Sequence, residues 1–201
     1  MNQPSFLVIS IMATERTSDK IIKITQELIQ TRGYSAISFD DIAVRVGIKK
    51  PSIVHHFANK GELAAAVVDN YRSMFLGLLA QSANSESAAR NLEVYFQPYL
   101  QFGESGNLIC LCGALAGEFS ALPESVQLQV SGFFQEQHNW ICQQISLGIN
   151  NNEFATGLDA NATATWVLSC LQGALLVRRA GGITTCVEDA VLTIKNYLRI
   201  S

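Results

Sequence analysis

Apolar residues along this chain recur at intervals of three and four and almost nowhere at two, which commits the backbone to helices rather than to half-buried strands. One stripe runs Leu63, Val67, Val68, Tyr71, Met74, Phe75, Leu78 and Leu79, and a second Leu92, Tyr95, Phe96, Tyr99 and Leu100. A third, Val126, Val130, Phe133, Phe134, Ile141, Ile145 and Ile149, is entered through Pro123 and left at Asn150-Asn151-Asn152. Asp159 to Arg179 follows, with Asp159 or Asn161 as its cap and Gly181-Gly182 as its stop. Val187, Ala190, Val191, Ile194, Tyr197 and Leu198 make the last stripe. No Asn-Gly hairpin separates alternating segments, so the expected fold class is all-α.

At 201 residues, 48% apolar and 15% charged, the chain can bury a sizeable core, which excludes disorder. Apolar surface beyond one domain's needs would belong to a subunit interface or an internal pocket. The run Phe6 to Met12 is too short to span a bilayer and no basic residue precedes it. No membrane partner is expected, and Met12 serves as well as Met1 for a natural start. Five cysteines, Cys110, Cys112, Cys142, Cys170 and Cys186, form neither an even set nor a C-x-x-C pair. A reducing cytoplasm fits them, with no cofactor and no metal.

Net charge is −3, which taken alone argues against a nucleic-acid binder, but the distribution points the other way. Thr14 to Lys60 carries eight basic residues against five acidic, and the remainder six against twelve. A basic amino-terminal segment on an acidic body implies that only one part approaches a polyanion. Within it, Thr17 or Ser18 would cap a helix ending near Gly33. Ser38 opens a second, Phe39 to Val46, through a Ser-x-x-Asp pattern closed by Asp41 and stopped by Gly47. A third starts near Lys49-Lys50-Pro51 and ends by Phe57. Two short helices joined by a glycine turn make a helix-turn-helix, whose second helix enters the major groove.

Ile42, Ala43, Val46 and Ile48 are spaced to form the buried side of that unit. Lys49, Lys50, Ser52, His55 and His56 then face outward, with Lys50 able to donate to guanine and the others to bases or phosphates. Ser38 stands at the helix start beside them. Lys60 opens the next helix, where a phosphate could sit. The expected division is therefore a DNA-binding domain over 14–60 and a helical body over 61–201.

The stretch from Gly33-Tyr34 through Ser38-Phe39-Asp40-Asp41-Ile42-Ala43 and Gly47-Ile48-Lys49-Lys50-Pro51-Ser52 to His56-Phe57, Lys60 and Leu63 strongly resembles the amino-terminal domain of the TetR family of transcriptional repressors. It covers about a quarter of the chain. Val54 stands where the family usually has a phosphate-contacting tyrosine, and Pro51 where it has a small residue. The resemblance implies a homodimer with two recognition helices about one DNA turn apart on a palindromic double-stranded operator. It also implies an effector-binding and dimerising body.

Asp159 to Arg179 is more apolar than one buried face requires. With the last stripe it would offer a four-helix dimer interface through Trp166, Leu171, Ala174, Val177, Val191 and Ile194. The aromatic residues Tyr95, Phe96, Tyr99, Phe102, Phe119, Phe133, Phe134 and Trp140 read equally as packed core or as the lining of a pocket for a small, mostly apolar effector. Phe96, Tyr99, Cys110, Glu118, Phe134 and His138 are the candidate effector contacts. Cys110 to Pro123 also resembles the Cys-x7-Glu segment of a TetR subgroup that includes electrophile-responsive repressors. Thiol modification at Cys110 or Cys112 is thus an alternative trigger, set against plain packing of small core residues. The different-class reading is a thiol enzyme using Cys110, Glu118 and His138. Nothing fixes their mutual approach, and no catalytic residue is expected.

Overall fold

The computed structural model describes residues 16–82 and 86–199, so the Phe6 to Met12 run and the alternative start at Met12 lie outside the described residues. In chain order the helices are α1 (Thr17–Arg32), α2 (Phe39–Val46), α3 (Lys50–His56), α4 (Lys60–Ser82), α5 (Ala88–Ser105), α6 (Leu111–Ala116), α7 (Glu124–Asn150), α8 (Ala160–Gly181) and α9 (Cys186–Leu198). A 3₁₀ turn covers Phe119–Ala121. No strand occurs among the described residues, and the fold is all-α as the periodicity requires.

The helix ends follow the expected chemistry except at α1. Neither Thr17 nor Ser18 caps that helix: Arg16 holds the cap position without a capping bond, and its guanidinium reaches Asp19 at 3.0 Å instead. Of the two candidates before α8, Asp159 is the cap, accepting from the amides of Asn161 and Ala162 at 2.9 and 3.0 Å. The short helix α6 carries no long apolar stripe and escaped periodicity altogether.

The first three helices close a small core around Ile21, Leu28, Ile42, Ala43, Val46 and Ile53. The long helix α4 joins it to the body, packing against α1 as well as α5 and α7. Its stripe Leu63, Val67, Val68, Tyr71 and Phe75 is buried, with Tyr71 and Phe75 meeting Phe133 of α7. The helices α8 and α9 pack on α7 and α5 and finish the body.

Beyond α7 the chain folds back so that Glu153 accepts from the Ser87 hydroxyl and the amides of Ala88 and Ala89, which fastens the start of α5. The same turn seats buried Phe154 against Gly148, where any Cβ would clash with the edge of the phenyl ring. Gly148→Ala is therefore expected to cost about 1–3 kcal/mol through overpacking, read from urea unfolding midpoints. An unchanged midpoint would show that the ring yields freely.

Candidate nucleic-acid interface and the body cavity

The turn between α2 and α3 is made by Gly47, whose φ of +79° suits a residue without Cβ. The amides of Gly47 and Ile48 both donate to the Ala43 carbonyl, at 2.9 and 3.0 Å, and this pair of hydrogen bonds sets the angle between the helices. At the start of α2 the capping box is complete: the Asp41 amide donates to the Ser38 hydroxyl at 3.2 Å and the Ser38 amide to Asp41 at 2.9 Å. Ser38's hydroxyl and amide hold the Asp41 carboxyl below its usual range. At the other end Lys20 of α1 donates to the Val46 carbonyl at 2.8 Å. Both ends of α2 are thus fastened, and α3 stands on a rigid brace.

Ser38, Lys49, Lys50, Ser52, His55 and His56 are all accessible to solvent, as expected, while Ile42, Ala43 and Val46 are buried. Lys50 pairs with Asp40 of α2 at 2.8 Å. An exposed pair of this kind is worth about 0–1 kcal/mol, so a phosphate or guanine can take Lys50 over. Thr17, Ile48, Pro51, Ser52, His55 and His56 line a shallow hollow of about 450 Å³ on this face. Val54 is 45% exposed, an apolar side chain on the reading helix suited to a thymine methyl.

Lys60 departs from expectation. It is half-buried, donates to the Ile37 carbonyl at 2.8 Å and lies 4.3 Å from the centre of the Tyr34 ring. Burial lowers its pKa against the pull of Glu118 and Asp41. Its donors serve the loop before α2, so it positions the head rather than waiting for a phosphate.

Three side chains tie this head to the body. Glu118 accepts from the amides of Tyr34 and Ser35 at 2.6 and 2.9 Å. Arg179 of α8 donates to the carbonyls of Gln30 and Thr31, which α1 leaves unpaired at its end. Gln30, itself buried, donates to the Ile109 carbonyl at 2.7 Å. Burial works to raise Glu118, but hydrogen bonds from Ser35 and Tyr34 and the charge of Lys60 outweigh it and hold the carboxyl below its ordinary value.

Next to these ties lies a cavity of about 760 Å³, walled by Arg32 and Gly33 of the head, the α6 region, Phe134 of α7, and Gln172, Leu176 and Arg179 of α8. Of the six candidate effector contacts, Glu118 and Phe134 line it. Phe96, Tyr99 and Cys110 are buried deeper. Tyr95 and Tyr99 donate to the side-chain Oε1 of Gln137 at 2.8 and 3.0 Å, and Gln172 links that buried set to the cavity through Tyr99 at 3.2 Å. Tyr95 also stacks on Trp140, so much of the aromatic set is packed core. His138 faces Thr165 and the Asn161 carbonyl on α8, away from that cavity's lining.

Cys110 and Cys112 are shielded, while Cys142, Cys170 and Cys186 are partly exposed. Cys110 is 2% exposed and accepts from the Tyr71 hydroxyl at 3.6 Å, while burial, then the neighbouring Cys110, pushes the Cys112 thiol well up. Cys110, Glu118 and His138 each have different partners, and none bonds to another among the described residues. Among the described residues no group of three or more His, Cys, Asp or Glu is arranged to hold a metal ion.

The expected dimer face needs revision. Leu171, Ala174, Val191 and Ile194 are buried inside the chain's own α8–α9 core, because they lie on the sides of these helices turned toward the body. Trp166 and Val177 do face outward, and with Cys170 and Gly173 they fall on one stripe of α8 at helical spacing. Tyr197 of α9 packs on Trp166 at 4.9 Å between ring centres, and Leu192 is 58% exposed. Glu118, Arg179 and Lys20 as fastening residues were invisible in the sequence, because their partners lie 84, 148 and 26 positions away and carry no periodic signal.

Residues 21–67 match the family model described as bacterial regulatory proteins, tetR family, and residues 88–194 that of a tetracyclin repressor-like C-terminal domain. The chain is 30% identical to a TetR transcriptional regulator of Legionella pneumophila of known crystal structure, covering 93% of this chain and all of that one, with a TM-score of 0.84. It is 25% identical to the transcriptional regulator AcuR of Cereibacter sphaeroides over 78% of this chain and 73% of the relative. It is also 27% identical to IcaR, the negative transcriptional regulator of the biofilm operon icaADBC in Staphylococcus epidermidis, over 59% of this chain and 61% of the relative.

Because Glu118 has a lowered pKa in the fold, its contribution is present at neutral pH and lost as pH falls below the ordinary carboxylate range. Glu118→Gln is expected to lower stability by about 1 kcal/mol at neutral pH, and the gap to wild type should close on acidification through that range. Thermal melts at paired pH values check this; a gap independent of pH would mean that the charge of Glu118 plays no part.

Proposed function

Since the chain belongs to the TetR family of DNA-binding transcriptional regulators, we propose that it is a ligand-responsive repressor that grips a palindromic operator as a homodimer and lets go when a small, mostly apolar effector enters its body. The observation that carries this reading is the braced helix-turn-helix, with α2 fastened at both ends and α3 offering Lys49, Lys50, Ser52, His55 and His56 to solvent. Residues 14–60 act as the reading head and 61–201 as the effector-binding and dimerising body, in the cytoplasm.

The exposed stripe of α8 supports the homodimer. This helix is long and apolar enough to span a bilayer by length and composition, yet only a third of its most apolar window is buried inside the chain. A second copy laying its own α8 and α9 against Trp166, Val177, Leu192 and Tyr197 would remove this surface from water. A Cβ at Gly173 would meet open space, so two backbones can approach closely there. Burial of Cys110 and Cys112 favours ligand entry over thiol modification as the trigger, because a reagent in solvent has no direct access to either sulfur.

Two measurements test this reading. Purified protein should prefer duplex from upstream of its own gene over random duplex, with affinity falling steeply as salt rises. Lys49→Ala should flatten that salt dependence by about one phosphate contact; equal binding to both duplexes would sink the proposal. In sedimentation, Trp166→Glu combined with Tyr197→Glu should convert dimer to monomer, and a dimer that survives the pair would move the interface elsewhere.

A further inference from the structure

The cavity at the head–body junction is lined by two guanidinium groups, those of Arg32 and Arg179, and a single carboxylate, that of Glu118. Glu118 is committed to the amides of Tyr34 and Ser35. Arg32 has Asp41 at 3.5 Å and the Ala36 carbonyl at 3.2 Å. Arg179 is different: its bonds go to the neutral carbonyls of Gln30 and Thr31, and no carboxylate pairs with it among the described residues. A guanidinium has five donors in a planar fork, so Arg179 retains both charge and donors for an anion. The rest of the wall is apolar, with Ile109, Ala114, Phe134 and Leu176.

We propose that this cavity binds an organic monocarboxylate carried on an apolar body, with Arg179 as the cation that holds it. A volume of about 760 Å³ falls in the range of small-molecule sites. One guanidinium without a carboxylate partner matches one negative charge, and the planar fork matches a carboxylate's two oxygens. A compact dianion such as phosphate fits less well: it would have nothing to place on the apolar wall and would sit near Glu118. Gln172 offers a second polar contact. Its side-chain oxygen occupies room at Gly113 that any side chain there would take, while its NH2 donates one hydrogen to the Tyr99 hydroxyl and carries a second donor for the carboxylate.

The regulatory consequence rests on the repressor reading. An anion at Arg179 competes with the last carbonyls of α1 for the same donors, and Arg32 and Gly33 of the head form part of the wall. Binding therefore has different energies in different head orientations, which is the requirement for coupling. Occupation weakens the Arg179 tie and lets the head turn away from its operator-ready position.

The test uses the full chain, calorimetry, and 4-phenylbutyrate beside its neutral isostere 4-phenylbutyramide, with inorganic phosphate as a third probe. The carboxylate should bind at least about tenfold more tightly than the amide. Arg179→Gln should abolish that preference while leaving amide binding in place, and Arg179→Lys should keep part of it. Circular dichroism checks that each variant is folded. Leu176→Glu, at a wall position 48% exposed and three residues before Arg179 on α8, sets a carboxylate of the chain's own beside that guanidinium and should weaken the carboxylate probe more than the amide. Equal affinity for carboxylate and amide, a preference that survives in folded Arg179→Gln, phosphate binding as tight as the carboxylate, or no heat at millimolar probe would each overturn the proposal. Operator binding measured in parallel separates the two ideas. Upstream-duplex preference without carboxylate binding removes only the cavity assignment, whereas carboxylate binding without duplex preference removes the repressor reading and keeps the cavity.

Discussion

A helix that ends against another domain must give its last carbonyls a partner, and the end of α1 is where this molecule meets that constraint. Arg179 supplies donors to Gln30 and Thr31, Glu118 collects the amides of Tyr34 and Ser35 just beyond, and the Gln30 side chain reaches the Ile109 carbonyl. Each bond is between a side chain and a backbone group, so each also dictates where the head sits. Buried apolar contact between α1 and α4 holds the two parts together, but such contact is non-directional. The hydrogen bonds, being directional, are what fix the orientation of one part on the other.

The charge distribution follows the same division. Basic residues cluster in the head, where several are already occupied: Lys20 caps α2, Lys60 supports the loop before it, and Arg32 and Arg45 face Asp41 and Glu27. Lys49 and the two histidines of α3 are left exposed, and Lys50 is exposed with Asp40 as its partner. A basic segment is thus partly scaffold and partly contact surface. In the body, the Arg72–Glu136 and Lys195–Glu93 pairs join neighbouring helices at the surface, where ion pairs add little to stability. Its cohesion comes from the aromatic core around Phe75, Tyr95 and Phe133.

Much of the fold was legible because it depends on local rules. The Ser38 and Asp41 box, the Gly47 turn and the Gly182 stop each act within a few residues, and each stands where local chemistry puts it. The exposed face of α3 was equally legible: once α3 is a helix, spacing alone turns Ser52 and His55 outward. The outward apolar face of α8 was half legible. An excess of apolar residues in α8 was plain, but Leu171 and Ala174 could not be told from Trp166 and Val177 until the body chose which side of α8 to cover. The candidate effector contacts divided for the same reason, with Glu118 and Phe134 on the cavity and Phe96, Tyr99 and Cys110 packed in the core.

By itself the sequence determined the helices, their order, and the identity of the DNA-reading unit, since propensity, capping and periodicity act over one or two turns. Only the tertiary structure decided that Glu118 is a tie between domains, that Lys60 is a support, and that Arg179 stands without a carboxylate partner among the described residues, beside an apolar cavity. Those roles depend on groups brought together from distant parts of the chain. A side chain's hydrogen-bonding capacity is written in its residue type, but the partner that uses it is chosen by packing.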